Sequence, residues 1–235
     1  MHLTRVGLQK TTLIDYPGLV ASTVFTAGCN LRCPYCHNPE LVNQGIPESF
    51  ISMKDFFGFL EKRKNVLDGV CITGGEPLIY DNLPEVIKQI QGFGLKIKLD
   101  TNGTFPEKLK PLSPDYIAMD LKTAPHKYHL VTGISPETKD TTPLAEKIIT
   151  SLEYLKTSGI DFEIRTTWAP EIVDLEDIPE MARLLEGVEN YYITPFRGGV
   201  TLDPAWSNHE SPEAEAMEKI KNIFKDYSIS VRIRA

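Results

Sequence analysis

The sequence predicts an α/β fold, specifically an open partial (β/α)6 barrel with a short N-terminal appendage. Three observations carry this expectation. Six short runs rich in β-branched and aromatic residues read as buried strands: LVASTVFT (19–26), GVCIT (69–73), LKIKLD (95–100), YIAMDL (116–121), FEIRTTW (162–168) and NYYIT (190–194). Amphipathic stretches lie between them, and polar or glycine-rich motifs sit where the runs end. Repetition of strand then helix is the signature of parallel strands joined by right-handed crossovers. Six such units are too few for a closed eight-fold barrel, and in a barrel of this kind the chemistry gathers at the carboxyl ends of the strands.

The helical stretches carry their own signals. In SMKDFFGFLEKRK, Ser52 is placed to cap, Asp55 stands at the capping-box spacing, and Phe56, Phe57 and Leu60 share a face. NLPEVIKQIQGFG, PLAEKIITSLEYLKTSG, EDIPEMARLLEG and SPEAEAMEKIKNIFKDY follow the same pattern, three of them closing at glycine. ISVRIR near the end reads as a further strand or an edge. Residues 1–18, rich in Thr and ending in a Pro-Gly turn, read as an appendage or short hairpin.

The 235 residues, 41% of them hydrophobic, suffice for one sizeable core. A single domain over residues 1–235 is expected: the appendage, a core at 19–200, and a C-terminal helix with a candidate edge strand at 201–235. With 32 acidic against 25 basic residues the net charge is −7, and no basic stripe is present to track a phosphate backbone, so nucleic acid is not an expected partner. No stretch approaches the roughly 18 apolar residues of a membrane span, and the N-terminus lacks an apolar leader. A cytoplasmic protein is expected. Three of its four cysteines fall within eight residues, which in a reducing compartment points to ligation or catalysis rather than to disulfides.

That cysteine stretch, GCNLRCPYCHNPEL (28–41), supports several chemistries. CPYC resembles a dithiol redox pair, which works by opening a helix; Pro39 and the preceding Cys29 argue against a long helix from Cys33. CPYCH matches covalent haem attachment, which accompanies export. Cys29, Cys33, Cys36 and His37 could close a zinc tetrahedron. Alternatively, Cys29, Cys33 and Cys36 hold an iron–sulfur cluster with one ligand too few, leaving an iron open to a small molecule. Cys71, inside GVCIT, reads as a buried hydrophobe.

Cys29-x3-Cys33-x-Tyr35-Cys36 followed by TGGEP (73–77) resembles the two motifs of the radical S-adenosylmethionine enzymes. LIDYPG, CHNPEL, LDTNG and MDLK narrow the resemblance to the glycyl-radical-enzyme activating branch, near the activators of anaerobic ribonucleotide reductase and of pyruvate formate-lyase. It runs from about Leu13 to about Arg197. The resemblance implies a [4Fe–4S] cluster on Cys29, Cys33 and Cys36, and S-adenosyl-L-methionine bound at its open iron. Reduction would release a 5′-deoxyadenosyl radical that takes a hydrogen atom from a glycine of a partner glycyl radical enzyme, with a reductant such as flavodoxin or ferredoxin supplying the electron.

Roles follow the matched positions. Tyr35 is expected near the adenine, and Gly74, Gly75 and Glu76 at the methionine amino group, where glycines allow close approach and a carboxylate suits an ammonium. Asp100, Thr101 and Asp120 resemble positions that hold a monovalent cation, Na+ or K+, beside the cofactor carboxylate. Lys122 could pair with that carboxylate, and Arg165, in a mostly apolar strand, needs a partner. Where the pyruvate formate-lyase activators carry a histidine after a Pro-aromatic pair, this chain reads Pro195-Phe196-Arg197, so Phe196 or the Arg197 plane would pack on the adenine. A small-molecule radical enzyme, for instance of deazapurine synthesis, and a non-catalytic zinc module are the alternatives.

Overall fold

A computed structural model describes residues 1–43, 45–133 and 142–234. The strands are β1 (Arg5–Thr12), β2 (Ala21–Thr26), β3 (Ile51–Ser52), β4 (Gly69–Gly74), β5 (Lys96–Thr101), β6 (Tyr116–Asp120), β7 (Asp161–Trp168), β8 (Tyr191–Pro195) and β9 (Val231–Ile233). The α-helices are α1 (Pro39–Asn43), α2 (Met53–Arg63), α3 (Leu83–Gln91), α4 (Pro106–Leu109), α5 (His129–Thr132), α6 (Thr142–Ser158), α7 (Ile178–Leu185) and α8 (Ala214–Asp226). Among the described residues the strands form one mixed, mostly parallel sheet in the order β3-β1-β2-β4-β5-β6-β7-β8-β9. The expected α/β class is therefore present, and each of the six expected strands exists. The N-terminal stretch takes the hairpin form: β1 runs antiparallel to β2, with Leu8 opposite Val24, and to β3. The chain divides into two compact units, one of Met1–Asn30, Glu40–Thr101 and Glu107–Ala118, the other of Leu31–Pro39, Asn102–Pro106 and Met119–Ala235.

In the first unit β2, β4 and β5 pair in parallel, placing Thr23 opposite Cys71 and Cys71 opposite Lys98. Val24, Val70, Ile72, Ile97 and Leu99 are buried, which is why these strands read as nearly continuous apolar runs. Helix α2 begins where expected: the Ser52 hydroxyl accepts the Asp55 N–H at 3.1 Å and donates to the Asp55 carboxylate at 2.6 Å. This cap is worth about 1 kcal/mol. Phe56 and Leu60 are buried beneath it. Helix α3 buries Leu83, Val86, Ile87 and Ile90, a single stripe at helical spacing.

In the second unit β7, β8 and β9 are parallel, with Thr166 opposite Ile193 and Tyr192 opposite Arg232. Tyr191 is fully buried, donates to the Thr166 hydroxyl at 3.0 Å and meets Phe224 of α8 edge-on. The expected edge strand at the C-terminal end is β9. It is fastened by Arg234, whose guanidinium makes two bonds, of 2.8 and 2.7 Å, to the carboxylate of buried Glu163 and stacks on the Tyr192 ring. Removing Arg234 takes both of these charge-assisted bonds from the buried Glu163 carboxylate. Arg234→Ala is expected to lower unfolding free energy by about 3 kcal/mol in denaturant titration, and Glu163→Leu in that background to recover part of the loss.

Candidate functional site

In the first unit the second motif is stitched by its backbone to the residues that lead into Cys29. The Gly75 N–H donates to Thr26 O at 2.8 Å and the Glu76 N–H to Gly28 O at 2.9 Å. Gly74 has φ of +119°, and a Cβ on Gly75 would lie 1.9 Å from Gly28 O, so neither position tolerates a side chain without moving backbone. Gly28 in turn donates to Leu41 O at 2.6 Å, and the Tyr80 hydroxyl to Ala27 O at 2.6 Å. Ala27, Leu41 and Phe50 form a small buried cluster beneath this stretch.

Glu76 is fully buried. Its Oε1 accepts the Leu78 N–H at 3.0 Å, capping the helical turn at Pro77–Ile79, and the Thr101 hydroxyl at 2.9 Å. Two expected site residues are thus in direct contact. Asp100, at the carboxyl end of β5, is mostly buried, and its Oδ1 pairs with the ammonium of Lys98, a residue only 2% exposed. The Cys71 thiol lies 3.8 Å from Lys98 Nζ and 3.9 Å from Asp100 Oδ1. Cys71 is buried, as expected, but against polar groups. Sequence reading missed Lys98; the available signal was a lysine alternating into a strand whose neighbours are apolar.

In the second unit the stretch holding Cys33, Tyr35 and Cys36 opens no helix. It turns at Pro34 and Tyr35, with the Cys36 N–H on Cys33 O at 3.0 Å, so the helix that would activate a CPYC dithiol is missing and α1 starts only at Pro39. A later segment clasps it. Leu202 and Asp203 donate backbone N–H groups to Cys36 O at 2.8 Å and Pro34 O at 3.0 Å. His37, which a zinc site would require, instead sets Nε2 at 2.7 Å from Arg197 O and stacks on Phe196. Tyr35, Phe196 and Trp206 form a three-ring cluster. Phe196 is buried and Arg197 exposed. Nothing in the sequence marked Trp206 as a neighbour of Tyr35.

Burial pushes the Tyr35 hydroxyl well above its ordinary pKa, and the Cys33 thiol nearby adds to this. The hydroxyl is a buried donor without a hydrogen-bond partner among the described residues. Asp120 Oδ2 meets Lys122 Nζ at 2.8 Å and Oδ1 meets Arg165 Nε at 2.9 Å, so the partner expected for Arg165 is a carboxylate of the chain itself. Burial alone would raise Asp120, but Arg165 and Lys122 outweigh it and hold the carboxyl at about 2. Lys122 is raised: burial opposes its charge, and the Asp120 carboxylate overcomes that. Among the described residues no three His, Cys, Asp or Glu groups stand close enough to hold a single metal ion.

A glycine-stitched turn follows one parallel strand, β4, and a three-cysteine stretch follows another, β2. Residues 23–194 match the Radical SAM superfamily, and the chain belongs to it. It is 28% identical over 233 residues to a Methanocaldococcus jannaschii protein provisionally named a glycyl-radical enzyme activating enzyme, covering 97% of this chain and 94% of that one. It is 30% identical over 208 residues to the pyruvate formate-lyase-activating enzyme of Listeria monocytogenes, covering 81% and 80%. Among solved structures, Streptococcus suis SuiB bound to S-adenosylmethionine shares the fold, with a TM-score of 0.65 at 16% identity over 89% of this chain; the chain spans about half, 49%, of SuiB.

The family implies a [4Fe–4S] cluster and S-adenosylmethionine. Within each unit the residues suit them: in the first, Cys29 forms no disulfide and Gly74 and Gly75 present bare backbone; in the second, Cys33 and Cys36 form no disulfide, and the buried Tyr35 hydroxyl has no hydrogen-bond partner among the described residues. They do not fit the monovalent cation. In the first unit Lys98 already pairs with Asp100, and in the second both Asp120 oxygens face cationic side chains.

Two outcomes follow. Gly75→Ala is expected to cost about 3 kcal/mol or more in thermal or denaturant unfolding, since Gly28 and Gly75 cannot both keep their places. Asp120, lowered in the fold, contributes stability that is complete above the unfolded carboxyl pKa of about 3.9 and is lost as pH falls through about 2, on the order of 2 kcal/mol. An Asp120→Asn variant should lack that segment of the acid unfolding curve.

Proposed function

We propose that this radical SAM enzyme is an activase that takes a hydrogen atom from a glycine Cα of a partner glycyl radical enzyme, of the anaerobic ribonucleotide reductase or pyruvate formate-lyase kind. The observation that carries this reading is the near full-length likeness to activating enzymes, 97% of this chain in one case and 81% in another. The bound cluster and cofactor supply the chemistry, a one-electron cleavage of the S-adenosylmethionine carbon–sulfur bond that yields the hydrogen-abstracting radical. A reductant of the flavodoxin or ferredoxin type delivers the electron. A cytoplasmic setting, where thiols stay reduced, suits the three cysteines.

In this reading the residues divide the work. Cys29, Cys33 and Cys36 hold the cluster as thiolates. Gly74 and Gly75 offer backbone at close range, and Glu76, held by Leu78 and Thr101, presents a carboxylate already aligned for an ammonium. Tyr35, whose buried hydroxyl is a donor, serves the nucleoside end with Phe196 and Arg197. Arg165 and Lys122 offer cationic hydrogens to a cofactor carboxylate while Asp120 keeps them in register. No monovalent cation is part of this reading.

The test is anaerobic. The purified protein, reconstituted with iron and sulfide, is incubated with reductant, S-adenosylmethionine and each glycyl radical enzyme of the source organism. A glycyl doublet by electron paramagnetic resonance with one of them is the expected outcome, and silence with all of them sinks the proposal. Cys33→Ala should abolish 5′-deoxyadenosine formation, whereas Cys71→Ala should keep its iron and lose only about 1 kcal/mol of stability.

A further inference from the structure

The pairing of Lys98 with Asp100 has no counterpart in the roles carried by the resemblance. Lys98 and Asp100 are two residues apart on β5, so their side chains leave the same face, and parallel pairing sets Cys71 of β4 beside Lys98. A lysine 2% exposed is costly unless its ammonium is paired. Its pairing here is with the Asp100 carboxylate, and the Cys71 thiol at 3.8 Å is a soft, weak neighbour. Thr101, the next residue, is turned away to Glu76.

We infer that the Lys98 ammonium supplies, as part of the chain, the positive charge that a monovalent cation would bring to Asp100, so that S-adenosylmethionine binds this protein without such an ion. An ammonium and a potassium ion carry the same charge and both bind carboxylate oxygen; the ammonium adds directed hydrogens. A carboxylate neutralised by a tethered lysine can lie beside the anionic end of a ligand without repelling it, and no ion need be recruited. Lys98 acts through Asp100 and is a positioning residue. The inference rests on the proposed use of S-adenosylmethionine.

The test compares wild type, Lys98→Met and Lys98→Gln in buffers whose monovalent cation is potassium, sodium or choline. Gln keeps a donor to Asp100 and removes the charge, guarding against a Met variant that fails to fold. Two readouts are used: S-adenosylmethionine affinity of the reconstituted protein by calorimetry, and the melting temperature of the cluster-free protein. Wild-type affinity should be the same in all three salts, while the variants should bind roughly tenfold more weakly in choline and recover in potassium. Wild-type affinity that collapses in choline and returns with potassium, or variants indifferent to the salt, would overturn the inference. If no salt gives S-adenosylmethionine binding, the functional reading falls instead, and the melting series still decides Lys98. Potassium raising the melting temperature of the variants alone supports its role, and potassium raising wild type above choline refutes it.

Discussion

The stretch entering Cys29 is held by a backbone contact that only glycine allows. Two N–H groups, from Gly75 and Glu76, reach across to Thr26 O and Gly28 O, and the space a Cβ would take at Gly75 is already filled by the Gly28 carbonyl. Peptide hydrogen bonds at such range register one segment against another more tightly than side-chain packing can, because neither partner has a rotamer to change. The motif's two glycines are therefore structural before they are ligand-facing. They place Glu76, and by way of Glu76 the Thr101 hydroxyl, in one buried arrangement.

Charge is handled by the same logic in each unit. In the first, a buried lysine meets Asp100; in the second, Arg165 and Lys122 grip the two oxygens of Asp120. Burying a charge of this kind is costly unless it is paired. Paired, they form preset dipoles that need not reorganise when an anionic or cationic ligand group arrives. Arg234 with Glu163 follows the rule away from the candidate site, where the result is simply a fastened edge strand.

Local signals were legible wherever the physics is local. The Ser52 cap and the α3 stripe are consequences of neighbouring residues, and so are the buried β-branched strands. The cysteine spacing and the paired glycines are chemical necessities visible as letters. What stayed hidden was pairing at long range. Lys98 beside Cys71 follows from strand register, since a strand's letters show which residues share a face but not what the neighbouring strand sets opposite them. Trp206 against Tyr35 joins residues far apart in sequence through a segment whose composition is unremarkable.

The sequence by itself determined the α/β class, the three-cysteine stretch and the glycine turn, because period, propensity and ligand count are properties of short stretches of chain. Only the tertiary structure decided which charges neutralise which. Electrostatic pairing depends on distance through space, and in a parallel sheet that distance is set by register and crossover rather than by separation along the chain.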